Sequence, residues 1–331
     1  MQLSWKKVKL ELKETFSISY GNYSFREALI VSITYSNKTG YGECTSIDYY
    51  GINLDDLINK LTLSKTLIES LKILYPNDFY KYISSLNLGS FLTSALDCAY
   101  WDLYGKLENK SFLDLNFIPL NFIPESSITI SVDELQNQIQ KIEKSNWNKF
   151  KVKCKGLNKQ DVIQLANLDR NIALDSNASF TETDCVWLEN HQIASKFSYL
   201  EQPMKIDAYK ILNRNKFANW MADEDCQNHI NLRSLQPHYN SINIKLVKCG
   251  GLTPALELVQ EARLLGFKIM IGCMTESTVG ISASAVIAPL VDYADLDGAN
   301  LIANDIANGT RIVNGKIEFS NKPGLGIERI K

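Results

Sequence analysis

The sequence predicts an α/β protein: a closed barrel of parallel strands with a separate α+β unit at its N-terminal end. Three observations lead there. From about residue 125, short β-branched or apolar runs alternate with helix-length stretches, giving about eight strands and seven intervening helices. Five of those runs end in a charged residue: Lys153, Asp175, Glu201, Asp223 and Lys245, which lie 22, 26, 22 and 22 residues apart. That interval fits one strand, one helix and two short loops. Finally, 331 residues at 45% hydrophobic content exceed what one sandwich or bundle usually holds, so a barrel plus a smaller domain fits.

Taken in order, Trp5 to Lys13 alternates as a strand, and Ala28 to Tyr35 is β-branched and apolar. Between them, Phe16 to Tyr23 reads as a polar and aromatic loop, and Lys38-Thr39-Gly40 as a turn. Asp55 to Leu74 has helical spacing, with Pro76 as its stop, and Ser90 is placed to N-cap a helix through Leu103. Strands followed by helices give the α+β unit. The barrel pattern then runs through strands at 127–131, 149–153, 172–175, 199–201, 220–223, 242–245, 268–272 and 293–297. Helices are expected at 133–143, 160–168, 252–265 and 278–290. Thr310 to Phe319 alternates around Asn314-Gly315 as a hairpin, placed to return and pair with the N-terminal strands.

A net charge of -2 with no basic block disfavours nucleic acid and anionic membranes. No run of ~18 apolar residues suits a membrane span. The seven cysteines are scattered, odd in number and never at Cys-x-x-Cys spacing, which points to a reducing cytosol rather than a disulfide framework. With three histidines, a histidine-rich metal site is excluded. The N-terminus has no signal-peptide core. A small-molecule substrate is the natural partner, and a homo-oligomer is compatible with all of this.

A buried strand should not end repeatedly in a charge by accident, because an unpaired buried charge costs several kcal/mol. In a parallel barrel the C-terminal strand ends meet on one face, where active sites sit. Asp175, Glu201 and Asp223 are hard oxygen ligands on three strand ends and suit an octahedral Mg2+ with open positions. A loop carboxylate capping the next helix is the plainer reading of each, weakest for Glu201 because Gln202-Pro203 follows. Asn177 and Glu224 are placed to orient the ligands. Lys151 and Lys153 point to one face of their strand, and Lys245 lies across the ladder from them. Two amines on opposite sides of a metal suit a reaction with two faces, which is racemisation or epimerisation. Mg2+ on a substrate carboxylate would stabilise the ene-diolate left when the α-proton departs. Positive charge from Lys151 and the metal would help Lys153 to stay neutral as a base. Asp295 and Asp297 share a face of the last strand and could clamp a substrate ammonium. Asp-Gly turn chemistry is the plainer alternative.

These residues resemble the enolase superfamily, specifically its muconate-lactonizing subgroup and, within it, the dipeptide epimerases. The matching motifs are Lys151-Val152-Lys153, Asp175 with Asn177, Leu200-Glu201-Gln202-Pro203, Ala222-Asp223-Glu224, and Asn243-Ile244-Lys245-Leu246 before Gly250-Gly251. Gly42-Glu43-Cys44 and Trp101 to Lys106 support them. The resemblance implies a (β/α)7β TIM-like barrel over 119–307. It also implies an N-terminal capping domain over 1–118, completed by the returning tail at 308–331. Capping loops around 16–26 and 47–51 would close over a dipeptide. Lys153 would serve the L-configured α-carbon and Lys245 the D-configured one. Asp295-Leu296-Asp297 favours dipeptide epimerases over cycloisomerases and succinylbenzoate synthases. The latter, and a carboxylate-binding barrel without catalysis, are the alternatives. Epimerases acting on L-Ala-L-Glu in murein metabolism often carry an arginine in the loop matching 16–23. Here that stretch offers Tyr20, with Arg26 the nearest cation.

Overall fold

The computed structural model describes residues 1–19, 21–227 and 231–329. Strands β1 (Gln2–Ile18), β2 (Gly21–Tyr35) and β3 (Lys38–Thr45) form an antiparallel sheet in that order. Of the stretch expected as a loop at 16–23, residues 16–18 and 21–23 continue the β1–β2 hairpin instead, pairing Phe16 with Tyr23 and Ile18 with Gly21. Its aromatic and β-branched residues suit a strand, which outweighs its polar content. The β2–β3 turn falls at Ser36-Asn37 rather than 38–40, and both residues have positive φ, as a two-residue primed turn demands. Gly40 and Gly42 serve packing. A Cβ on Gly42 would lie 1.9 Å from the Ala95 carbonyl oxygen of α3 (Ser90–Glu108).

Helix α1 (Leu54–Glu69) is capped by the Asn53 side chain, which accepts from the Asp55 and Asp56 N–H groups. Pro76 does not stop this helix but opens another, α2 (Pro76–Ser85), where its missing N–H costs nothing. Gly89, not Ser90, is the N-cap of α3. That helix is buried on nearly every side, between the sheet and the barrel. Asp97 on α3 accepts from the backbone N–H and hydroxyl of Thr253, welding the cap to the barrel.

Strands β4 (Ile128–Ile130), β5 (Lys149–Lys153), β6 (Asn171–Asp175), β7 (Leu200–Glu201), β8 (Trp220–Ala222), β9 (Ser241–Ile244), β10 (Lys268–Gly272) and β11 (Tyr293–Asp295) run parallel in sequence order. A bridge between Ser126 and Ala294 closes the ring. This is the expected barrel. The helix expected over 278–290 stops at Ala285, and a 3-10 turn follows over Ala288–Leu290, around Pro289. No α-helix follows β11 among the described residues, only the 3-10 turn Gly298–Leu301.

The expected hairpin forms at Arg311–Val313 and Lys316–Glu318, turning at Asn314-Gly315. It does not pair with the N-terminal strands. Gly315 accepts from the Ser126 N–H, so the hairpin sits beneath the barrel. The last described residues return to the cap: Leu325 N–H donates to Asp102, and Lys106 donates to the Ile327 carbonyl.

Candidate active site

Period-two geometry sends Phe150 and Val152 outward into the helix layer and Lys151 and Lys153 inward. Parallel register then aligns the neighbours: Lys153 beside Asp175, and Asp175 beside Glu201. Asp223 and Lys245 follow directly on β8 and β9. Strands β5 and β9 are four apart in a ring of eight, so Lys153 and Lys245 stand on opposite sides of the mouth. Both line one cavity of about 70 Å3 with Lys151, Asn177, Asp223, Asp295 and Asp297.

The lysines and acids neutralise one another in pairs. Lys153 Nζ is 2.5 Å from Asp175 Oδ2 and 3.0 Å from Asn177 Oδ1. Lys245 Nζ is 2.7 Å from Asp223 Oδ2. Lys151 donates to Asp295, whose other oxygen accepts from Ser127 Oγ at 2.7 Å. Asp297 accepts from the Thr129 N–H at 2.6 Å. Asn177 also reaches Glu224 at 3.4 Å, linking the two residues expected to orient the ligands.

Glu201 stands between the paired acids. Asn243 donates to its Oε1 at 2.8 Å. Its Oε2 is buried with no hydrogen-bond partner, and Lys151 Nζ is 3.6 Å away. Burial, reinforced by Asp175, pushes the Glu201 carboxyl up to about 7. Burial and then the Asp223 and Asp175 charges push Glu224 up to about 8. Burial opposes the charged form of Asp223, yet Lys245 and Lys248 hold its carboxyl well below the usual range. Lys151 and Lys245 behave conversely: burial would lower them, but Asp295 and Asp223 respectively outweigh it and raise both. Asp297 rises to about 6 through burial and the neighbouring Asp295.

An orphaned carboxylate oxygen among crowded acids fits a hard divalent cation. Asp175, Glu201 and Asp223 are the residues that would hold it. Among the described residues no three acids already converge at metal distance, and the outer two, Asp175 and Asp223, are ion-paired with Lys153 and Lys245.

The cap supplies Phe16, Ile18, Tyr23, Arg26, Ile47 and Tyr50 to the cavity wall. Arg26 donates to the Ser46 carbonyl at 3.2 Å and its guanidinium lies 4.2 Å from the Tyr23 ring centre. Tyr20 lies outside the described residues. Sequence reasoning missed Lys248, which donates to Asp223 Oδ1 at 2.6 Å and to the Asp223 and Asn243 carbonyls. It also missed Gln202, whose Oε1 accepts from the Asp223 and Asp225 N–H groups. Position right after the Glu201 strand end was the available signal for Gln202. Lys248 gave none, since a lysine in a short helix reads as solvated.

A sequence profile described as "Enolase C-terminal domain-like" matches residues 134–329. The chain belongs to that family. Among its relatives, an L-Ala-D/L-amino acid epimerase of Maribacter sp. is 38% identical, covering 99% of both chains. One of Flavobacterium johnsoniae is 34% identical with the same coverage. These relatives are epimerases, hence isomerases by class. A dipeptide epimerase from Enterococcus faecalis, solved with Mg and L-Leu-L-Tyr, superposes with a TM-score of 0.86 at 26% identity. The match covers 98% of each chain. The L-Ala-D/L-Glu epimerase from Bacillus subtilis shares the fold, with a TM-score of 0.89 at 22% identity, covering 99% of this chain and 98% of that one. In this enolase-type barrel, no helix among the described residues is long and apolar enough to cross a membrane.

Proposed function

We propose that the protein is a Mg2+-dependent dipeptide epimerase acting at the α-carbon of the C-terminal residue. Residues 1–118 would form its cap, joined by the stretch around 324–327, and 119–307 its catalytic barrel, with the 311–318 hairpin beneath it. The observation that carries this reading is the pair of buried lysines, Lys153 and Lys245, on opposite sides of one small cavity. Proton transfer at one carbon from two faces needs two such groups within reach of it. Asp175, Glu201 and Asp223 would hold a divalent cation, which would supply positive charge against negative charge developing on the substrate carboxylate.

The chain's own residues do the rest. Lys153, as the neutral amine, takes the α-proton of the L epimer, and Lys245, as the ammonium, delivers one to the opposite face; for the D epimer Lys245 is the neutral amine and Lys153 the ammonium. Lys151, held by Asp295, keeps positive charge beside both Asp175 and Glu201. Asp297, anchored on Thr129, and Asp295 accept the substrate ammonium. Asn177 fixes Lys153 and Glu224 relative to each other. The cap wall of Phe16, Ile18, Tyr23 and Tyr50 excludes water.

The test is incubation with Mg2+ in D2O and a library of L-Ala-L-Xaa and L-Xaa-L-Glu dipeptides, read by mass spectrometry. One deuterium at the second α-carbon is expected, and no exchange with any dipeptide overturns the reading. Lys153→Ala and Lys245→Ala should each abolish epimerisation, while each still permits wash-in from one epimer. Epimerisation retained by either variant means that base is misassigned.

A further inference from the structure

Residues 115–119 and 120–124 are one pentapeptide written twice, Leu-Asn-Phe-Ile-Pro followed by Leu-Asn-Phe-Ile-Pro. The tandem pair joins the short helix α4 (Phe112–Leu115) to the start of β4, and it carries no charged residue. Both copies fold alike at their centre. Ile118 and Ile123 turn in, half-buried against the barrel core, and the phenylalanine before each stays out. Phe117 is 92% exposed and Phe122 60%, with Leu120 between them in sequence at 53%. Phe117 also closes the end of α4. Its N–H and that of Ile118 donate to the Asp114 and Leu113 carbonyls, and its φ is +52°. Glycine adopts that left-handed conformation freely, and a bulky aromatic residue rarely does. A strained backbone therefore presents a ring to solvent, and so exposed a ring gains almost no burial within one chain.

We propose that this patch is where a second copy of the chain docks across a two-fold axis, with Phe117 of each protomer packed on Phe122 of the other. Three features favour a like partner. In a two-fold contact residue i meets residue j and j meets i, so both must suit the same chemistry. The duplication supplies that, since the two rings are the same residue, each followed by an inward isoleucine. The lack of charge matters as well, because a charged patch facing its own copy sets like charges against each other. The bordering acids are engaged within the chain: Asp114 accepts from Ser111 in a capping box, and Glu125 from Asn148 at 3.1 Å. The area is of the right order. At about 200 Å2 for a fully exposed ring, Phe117 and Phe122 bring roughly 300 Å2 per protomer. That is over a third of the ~800 Å2 that each partner of a standard interface buries, and a few aromatic anchors of this kind carry most of the energy of such interfaces. The second copy of the pentapeptide leads into the N-terminal end of β4, and neither phenylalanine lines the catalytic cavity, so docking here leaves that cavity complete.

Sedimentation equilibrium of the full chain from about 1 to about 100 μM should show dimer rising with concentration by mass action. Phe117→Asn combined with Phe122→Ser should weaken association at least roughly thirtyfold, the scale of losing an aromatic anchor. Asparagine tolerates the left-handed backbone, so circular dichroism of this variant should match wild type. Phe122→Ser alone, which leaves the strained position untouched, should weaken association in the same direction. Leu63→Ser, at an exposed site on α1, should leave the dimer intact. A wild type that is monomeric throughout overturns the proposal, and co-sedimentation of that monomer with phosphatidylcholine vesicles would assign the patch to a lipid surface instead. A dimer that survives both phenylalanine variants, or that Leu63→Ser dissociates equally, also overturns it.

Discussion

Lys248→Met should be among the most destabilising single substitutions in the barrel, although Lys248 touches no substrate surface. Its side chain is 1% exposed, and its ammonium donates to one oxygen of Asp223 and to two backbone carbonyls. Methionine keeps the stem volume and removes the charge and all three bonds. Asp223 then retains Lys245 alone against a charge that burial already disfavours. Removing one partner of a buried ion pair costs about 3–5 kcal/mol, the orphaned carbonyls contributing within that range. At roughly 2 °C per kcal/mol, the lower end for large domains, the midpoint falls by about 6–10 °C. Thermal unfolding followed by circular dichroism without added metal reads this directly. Lys210→Met, at an exposed position, should stay within about 0.5 kcal/mol of wild type. A Lys248→Met midpoint within about 2 °C of wild type would refute the assignment of Lys248 as the buried counter-charge of Asp223.

Two further outcomes test the cap and its seat. Glu43 on β3 accepts from the Ser277 N–H and hydroxyl and the Gly280 N–H, with Glu276 close by. Burial pushes Glu43 up to about 7; burial and then Glu43 push Glu276 up to about 8. Folded carboxyls raised above their unfolded values bind more protons than the unfolded chain. Their stability contribution is therefore present below about pH 4.5 and is lost as pH rises through 7 to 8. Urea titrations from pH 6 to 9 should show this decline, and Glu276→Gln should flatten it; an unchanged slope refutes the pairing. Gly42→Ala should cost about 3 kcal/mol or more in urea unfolding, because the obstacle is backbone 1.9 Å away. Gly51→Ala, with positive φ and nothing within 4 Å, should cost only about 1–2 kcal/mol, and equal losses would mean conformation rather than packing governs both.

The sequence by itself determined the barrel and most of the ladder. Strand and helix periods are local, and a buried strand end carrying a charge is legible without knowing its neighbours. That is why spacing alone singles out Lys153, Asp175, Glu201, Asp223 and Lys245 as charged strand ends, of which Lys153, Asp223 and Lys245 line the cavity at the ends of the parallel strands. Polar residues misled where strand pairing overrode composition, at 16–18 and 21–23, and Pro76 misled because it opens a helix rather than ending one. Only tertiary structure decided the partners. Lys248 meets Asp223 across 25 residues, and Glu43 meets Ser277 across 234. Leu12 bridges to Ile302 and Ser17 accepts from the Val132 N–H, both far along the chain. Burial and charge pairing at such separations depend on which surfaces meet, and no local period encodes that.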